Sequence, residues 1–147
     1  MAKTNFTNTQ QEAIVQAIHM AEQNTSGEIR VHIDQKCSGD PVKRAIQVFQ
    51  KLGMQKTVLR NGVLIYLALN DRKLAIIGDE GINKVIPEHF WEDERDMMIS
   101  HFKNGQFTEG LVEGIYMVGE QLEAFFPISK DDQNELTNEI SFGEDGE

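Results

Sequence analysis

The chain has 147 residues, of which 39 % are hydrophobic, and this is enough for a single domain with a buried core. Such a composition excludes a wholly disordered chain. The 24 acidic and 14 basic residues give a formal net charge of −10, which disfavours binding to nucleic acid or to an anionic membrane surface.

The compartment is predicted from three negative features of the sequence. Cys37 is the only cysteine, so an internal disulfide is excluded. The polar N-terminal segment does not have the pattern of a signal peptide, and no apolar run approaches the roughly 20 residues of a membrane span. We therefore expect a cytoplasmic protein.

The first half of the chain predicts a helix, a strand and a second helix. Thr9 and Glu12 have the spacing of a capping box at the start of a helix. Residues 28–34 alternate between polar and apolar side chains, which predicts a strand with one polar face. Asp40 followed by Pro41 is typical of a helix start, and this helix is expected to extend to about residue 52.

The second half predicts a β-hairpin and two further helices. Residues 62–69 are apolar on both faces, as in a covered central strand, and a turn leads into a third strand over residues 73–79. A second turn follows, and helices are predicted over residues 90–103 and 108–125. The domain is therefore expected to occupy residues 1–127, and residues 128–147, with seven acidic residues and one lysine, to form a disordered acidic tail.

This order of elements predicts an α/β fold, a three-layer α/β/α sandwich on a small mixed sheet of about four strands. Strands one and two are joined by a helix and are expected to be parallel, with a right-handed crossover. Strand three is expected to be antiparallel to strand two. A fourth, short strand is expected within residues 57–60.

Carboxylates collect at one edge of the predicted sheet, where strands one and two begin and strand three ends. Close carboxylates repel one another unless a cation or protons offset their charge, and oxygen-rich loops suit Ca²⁺ or Mg²⁺. We therefore predict a Ca²⁺ or Mg²⁺ site at this edge, beside Arg60. Its expected metal ligands are Glu28, Asp79, Glu80, Glu88 and Asp93. Alternatively, these residues are ordinary turn residues and helix caps.

The opposite edge of the sheet is a rival site, because ligands of open α/β sheets usually lie beyond the carboxyl ends of parallel strands. Its polar residues are Asp34, Cys37, Asp40, Asp71 and Arg72. His32 and Cys37 are too few ligands for a zinc site. Motifs of nucleophile-elbow hydrolases and of nucleotide-binding loops are absent, so the sequence identifies no catalytic residues.

Several segments taken together resemble the TPM domain family. They are residues 26–31, 60–67 and 71–82, followed by a closing run with Trp91, Met98, Phe102, Gly105, Gly110, Gly114, Gly119, Leu122 and Pro127. The resemblance covers roughly residues 13–127 and implies an α/β/α sandwich with a four-stranded sheet and divalent-ion sites. Plant members, the thylakoid-lumen photosystem II repair proteins, are credited with acid phosphatase activity. Most bacterial relatives carry a signal peptide and a transmembrane helix, so this chain resembles a stand-alone bacterial TPM domain.

Three hypotheses on function follow. The first is a regulatory module that binds Ca²⁺ or Mg²⁺ and a protein partner, including a membrane-associated one. The second is a metal-free scaffold or assembly factor that contacts its partner through the acidic tail. The third is a metal-dependent acid phosphatase, with Asp79 as a metal ligand and Arg60 steering the substrate.

Overall fold

The computed structural model describes residues 6–87, 89–128 and 137–143. It confirms the predicted α/β/α sandwich, with a four-stranded mixed sheet and helices on both faces. The elements are α1 (Asn8–Glu22), β1 (Glu28–Asp34), α2 (Pro41–Lys51), β2 (Gly62–Ala68), β3 (Lys73–Gly78), α3 (Glu80–Asn83), α4 (Phe90–Lys103), α5 (Phe107–Phe125) and β4 (Ser141–Phe142).

The strand order is β3-β2-β1-β4, with β1 parallel to β2 and β4, and β3 antiparallel to β2. The prediction of a strand within residues 57–60 is wrong. These residues form a turn in which Arg60 donates its N–H to the Thr57 carbonyl over 3.3 Å, and Arg60 has a φ of 51°, which no extended strand allows. The fourth strand instead comes from Ser141–Phe142, in the segment predicted to be a disordered tail. Residues 129–136 and 144–147 of the predicted tail lie outside the described residues.

Two apolar cores lie on opposite faces of the sheet. The larger core lies under α1, α4 and α5 and includes Ile29, Val31 and Ile33 from β1. The smaller core lies under α2, which packs mainly on β2 and β3, and includes Leu64 and Tyr66. Because α2 is centred on β2 and β3, the α2-side face of β1 is left to polar side chains.

The residues that cap the start of α1 differ from those predicted from the sequence. The capping box of α1 is formed by Thr7 and Gln10, with both reciprocal hydrogen bonds present at 2.9 and 3.0 Å, and not by Thr9 and Glu12. The side chain of a glutamine at the third helical position can accept the N-cap N–H as a glutamate does. The helix therefore begins after Thr7, two residues before the predicted cap. Asp40 caps α2 as predicted, accepting a hydrogen bond of 2.9 Å from the Val42 N–H.

The glycine-rich face of α5 allows α4 to approach closely. A Cβ atom at Gly114 would lie 2.5 Å from Met98 Sδ and 3.0 Å from Glu94 Oε1, both on α4. This approach buries Glu94 completely. Within the part of the chain that the structure describes, none of the helices combines the length and the apolar composition needed to cross a bilayer.

Candidate functional site

Asp79, a predicted metal ligand, is paired with Arg60 at the end of β3. Arg60 donates from Nε to Asp79 Oδ2 over 2.8 Å and from Nη2 to Asp79 Oδ1 over 2.9 Å. Asp79 Oδ1 also accepts the N–H of Glu80 over 2.8 Å, which caps α3. The bidentate hydrogen bond to Asp79 raises the pKa of Arg60. A guanidinium therefore offsets the charge of this carboxylate.

A shallow cleft of about 400 Å³ opens beside this ion pair, between α2 and the edge strand β3. Ile46, Phe49 and Ile77 form its apolar wall, and Arg60 and Asp79 form its charged end. We call it the α2–β3 cleft. Large apolar side chains are exposed on and near it, because Ile46 is 44 % exposed and the loop before Arg60 leaves Val58 84 % and Leu59 50 % exposed.

Glu28, another predicted ligand, is only 2 % exposed and is hydrogen-bonded to Glu22, at the end of α1. Burial, with a smaller contribution from the nearby Glu28 carboxyl, raises the pKa of Glu22 to about 8, against the lowering effect of a hydrogen bond of 2.7 Å that Glu22 accepts from the Ile29 N–H. At neutral pH Glu22 therefore holds a proton, next to the carboxyl of Glu28. Sequence reasoning missed Glu22 because it lies on the helix side of the turn that precedes β1.

Asn61 adds a further oxygen to the corner that holds Glu28. Its backbone carbonyl accepts the Glu28 N–H over 3.2 Å, and its side-chain nitrogen donates to Ser26 Oγ over 3.3 Å. Its side-chain oxygen is buried and has no hydrogen-bond partner among the described residues. We call Glu22, Glu28 and Asn61 the Glu28 corner.

Of the remaining predicted ligands, Glu80 and Asp93 are exposed. Glu80 is 62 % exposed and lies 3.4 Å from Arg60 Nη1. Asp93 is exposed in the first turn of α4, and Glu88 lies outside the described residues. In residues 6–87, 89–128 and 137–143, no group of three or more histidine, cysteine, aspartate or glutamate side chains is arranged to hold a metal ion. The metal site therefore stays a prediction.

The rival edge holds a buried polar network around Asp34, which is 1 % exposed. Its carboxylate accepts hydrogen bonds from His32 Nε2 at 2.8 Å, Arg44 Nε at 2.9 Å and Tyr66 OH at 2.6 Å. Burial alone would raise the pKa of Asp34, but these three donors outweigh it and hold that pKa far below its usual range. We call this group the Asp34 network.

The other polar residues of the rival edge have structural roles. Asp71 accepts the Cys37 N–H over 2.7 Å, and Lys73 donates to the Cys37 carbonyl over 2.9 Å, which ties the loop after β1 to the hairpin. Arg72 occupies the hairpin turn with a φ of 52°. Asp40 caps α2. Sequence reasoning missed Arg44, Tyr66 and Ser141 here, because no local spacing links them to β1.

A family model and several solved structures match the chain. A family model described as the TPM domain matches residues 3–121. The NMR structure of the BA42 protein from the psychrophilic bacterium Bizionia argentinensis is similar at 48 % identity and a TM-score of 0.88, over 94 % of this chain and 95 % of that one. No curated protein sequence matches the chain.

Two more distant structures share the fold. The N-terminal domain of a protein from P. gingivalis is 22 % identical with a TM-score of 0.66, over 81 % of this chain and 77 % of that one. The N-terminal domain of the cg2496 protein from Corynebacterium glutamicum is 15 % identical with a TM-score of 0.63, over 97 % of this chain and 82 % of that one.

Proposed function

The chain belongs to the TPM domain family, and we propose that it is a regulatory module that binds Ca²⁺ or Mg²⁺ at the Glu28 corner and a protein partner at the α2–β3 cleft. The observation that carries the metal proposal is the contact between the carboxyls of the half-buried Glu22 and the buried Glu28. Two such groups need a proton or a cation between them.

The chemistry of the Glu28 corner suits a hard divalent cation. Glu22 and Glu28 would supply carboxylate oxygens, and the buried side-chain oxygen of Asn61 would supply a neutral one, which are the donors that Ca²⁺ and Mg²⁺ prefer. The ion would displace the proton that Glu22 holds, because a metal ligand must be deprotonated. Asp79 and Glu80 are not required, since Arg60 already offsets their charge.

Titration with each ion by NMR tests the metal proposal. We expect the amide signals of Glu28, Ile29 and Asn61 to shift with millimolar Ca²⁺ or Mg²⁺, and Glu28→Gln to abolish those shifts. Glu80→Gln is the matched control, because it removes a carboxylate from the same edge of the sheet without touching the corner, and its shifts should equal those of the wild type. Unmoved signals around Glu28, or equal shifts in Glu28→Gln, would refute the proposal.

The partner proposal depends on exposed apolar side chains around a charged pair. Apolar side chains that surround an arginine are typical of protein interfaces, in which a few central residues carry most of the binding energy. Val58, Leu59 and Ile46 provide the apolar part and Arg60 the charged part. Because the loop with Val58 and Leu59 leads directly into Asn61, a cation at the Glu28 corner can order this surface.

Affinity capture with and without Ca²⁺ tests the partner proposal. We expect the double variant Val58→Asp and Leu59→Asp to lose a partner that the wild type retains, and Ca²⁺ to change how much of that partner is retained. Val85→Asp is the control, because Val85 is also exposed, at 41 %, but belongs neither to the cleft lining nor to the loop that leads into Arg60. A partner retained equally by all three proteins would rule out the α2–β3 cleft as its binding surface.

A further inference from the structure

Ser141, His32 and Asp34 form a continuous chain of hydrogen bonds at the β1–β4 pair. Ser141 Oγ lies 2.9 Å from His32 Nδ1, and His32 Nε2 lies 2.8 Å from Asp34 Oδ1. Ser141 is paired directly with His32 in the sheet register, although the two residues are 109 positions apart in sequence. A serine, a histidine and a carboxylate connected in this order are the components of a base-activated nucleophile.

The Asp34 network fixes which nitrogen of His32 carries the proton. The Asp34 carboxylate is ionised and only accepts hydrogen bonds, so the ring N–H must lie on Nε2 and point to Asp34. In the neutral ring, Nδ1 is then an acceptor, and its partner is the hydroxyl of Ser141. Stacking on Tyr66, with ring centroids 5.8 Å apart, holds the imidazole in this orientation.

Ser141 is the most accessible residue of the hydrogen-bonded series Ser141–His32–Asp34. His32 is 4 % and Asp34 1 % exposed, whereas Ser141 is half-buried on the edge strand. Arg30 lies two residues before His32 on the same face of β1, and its Nη2 donates to the Glu139 carbonyl over 3.3 Å. Its Nε is buried with no hydrogen-bond partner among the described residues, so the guanidinium keeps donor capacity on the face of β1 that carries His32.

We propose that Ser141 is the nucleophile of a second site that hydrolyses small carboxylic esters, with His32 as general base and Arg30 stabilising the oxyanion. Ser141 Oγ bonds to the ester carbonyl carbon while its proton passes to His32 Nδ1. The bond to the alcohol oxygen breaks, and His32 returns the proton to that oxygen. Water then attacks the acyl-serine by the same route and releases the carboxylic acid. Asp34 is a positioning residue that holds the tautomer of His32.

Labelling of the full chain with a fluorophosphonate tests this proposal. The reagent forms a phosphorus–oxygen bond with an activated serine and loses fluoride, and the serine proton leaves through the base. We expect one adduct, assigned to Ser141 by peptide mapping, and no adduct on Ser100, an exposed serine of α4. Labelling of Ser100 as fast as Ser141, or no adduct on Ser141, would overturn the proposal.

Variants then separate an activated serine from one that merely anchors β4. Ser141→Ala and His32→Gln, each checked for folding by NMR, should reduce p-nitrophenyl acetate hydrolysis by about 100-fold or more, the range of general-base catalysis. His32→Gln should also stop labelling of the Ser141 that it retains. Asp34→Asn should lower kcat and leave KM unchanged. Equal labelling of Ser141 in folded His32→Gln would show that His32 does not activate it, and would overturn the proposal.

Discussion

Carboxyl groups at the two ends of β1 have pKa values that are shifted in opposite directions. At the Glu28 corner the groups in contact are Glu22 and Glu28, and the pKa of Glu22 rises to about 8. In the Asp34 network the carboxylate has three donors, and its pKa falls. Burial opposes ionisation at both ends, so the partners decide the outcome. One end therefore keeps a proton at neutral pH, and the other is a fixed anion.

The largest expected effect comes from removing the fixed anion. Asp34→Ala leaves Arg44, Tyr66 and His32 without their shared acceptor, and we expect a loss of about 3–5 kcal/mol in the free energy of unfolding, measured by urea denaturation. Asp96→Ala, at an exposed site on α4, is the control and should change it by less than about 0.5 kcal/mol. A loss of similar size in both variants would contradict the role given to Asp34.

Next in size is the pH dependence of stability at the Glu28 corner. The pKa of Glu22 is raised from 4.5 to about 8, so the folded protein holds a proton that the unfolded chain releases. The stability from this group is complete below pH 4.5 and decreases as the pH rises towards 8, by up to about 1.4 kcal/mol per pH unit. We expect Glu22→Gln to flatten this slope in denaturation curves measured from pH 5 to 8. Glu120→Gln, an exposed site on α5, should leave it unchanged.

The Asp34 network has the opposite pH dependence. The pKa of Asp34 is lowered in the folded protein. The stability that Asp34 contributes is therefore present above its unfolded pKa of 3.8 and is lost as the pH falls below that value. We expect the stability difference between the wild type and Asp34→Ala to be constant from pH 5 to 8 and to shrink below about pH 4. A difference that shrinks between pH 5 and 8 instead would mean that Asp34 is not held as an anion.

Glu94 tests the effect of burial on the pKa of a carboxyl group in the interface between α4 and α5. Burial raises its pKa to about 8, with a further contribution from Glu113, and neither of its carboxyl oxygens has a hydrogen-bond partner among the described residues. Glu94→Gln should therefore be about as stable as the wild type at pH 5 and more stable at pH 8, and the difference in the free energy of unfolding should grow by up to about 1.4 kcal/mol per pH unit. Lower stability of Glu94→Gln at pH 8 would show that the charged form is stabilised.

The smallest expected effect is a change in cation affinity, and it distinguishes the Glu28 corner from the Arg60–Asp79 pair as the binding site. Arg60→Gln releases Asp79 from its guanidinium partner. Because the proposed cation binds at the Glu28 corner, its affinity in calorimetric titration should change by less than about twofold, well under the 1.4 kcal/mol of a tenfold change. A large gain in affinity would indicate that the cation binds at Asp79 and not at the Glu28 corner.

The local elements of the fold could be predicted because they depend on periodicity and caps. Asp40 and Pro41 mark the start of α2, and the bounds of α4 agree with its apolar spacing. Ser141–Phe142 was beyond reach, because a two-residue strand has no periodicity and its partner β1 is more than 100 residues away. The predicted edge brought Arg60 near Asp79, but the left-handed turn that directs Arg60 onto Asp79 leaves no signal in the sequence.

The burial of the polar residues of β1 could not be predicted from the sequence. Alternation showed that Glu28, His32 and Asp34 share a face, but it did not show that this face is buried. Burial depends on side chains that arrive from elsewhere, including Arg44 and Tyr66, which lie 10 and 32 residues after Asp34. Such contacts are set by tertiary packing, and a single sequence does not contain their geometry.

Calorimetric titration of Ca²⁺ at pH 7, in two buffers with different ionisation enthalpies, measures directly whether a cation replaces a proton at the Glu28 corner. The predicted result is the release of close to one proton per bound ion, because Glu22 has a pKa of about 8, and the loss of that release in Glu28→Gln. Binding with no proton release in the wild type would contradict the account.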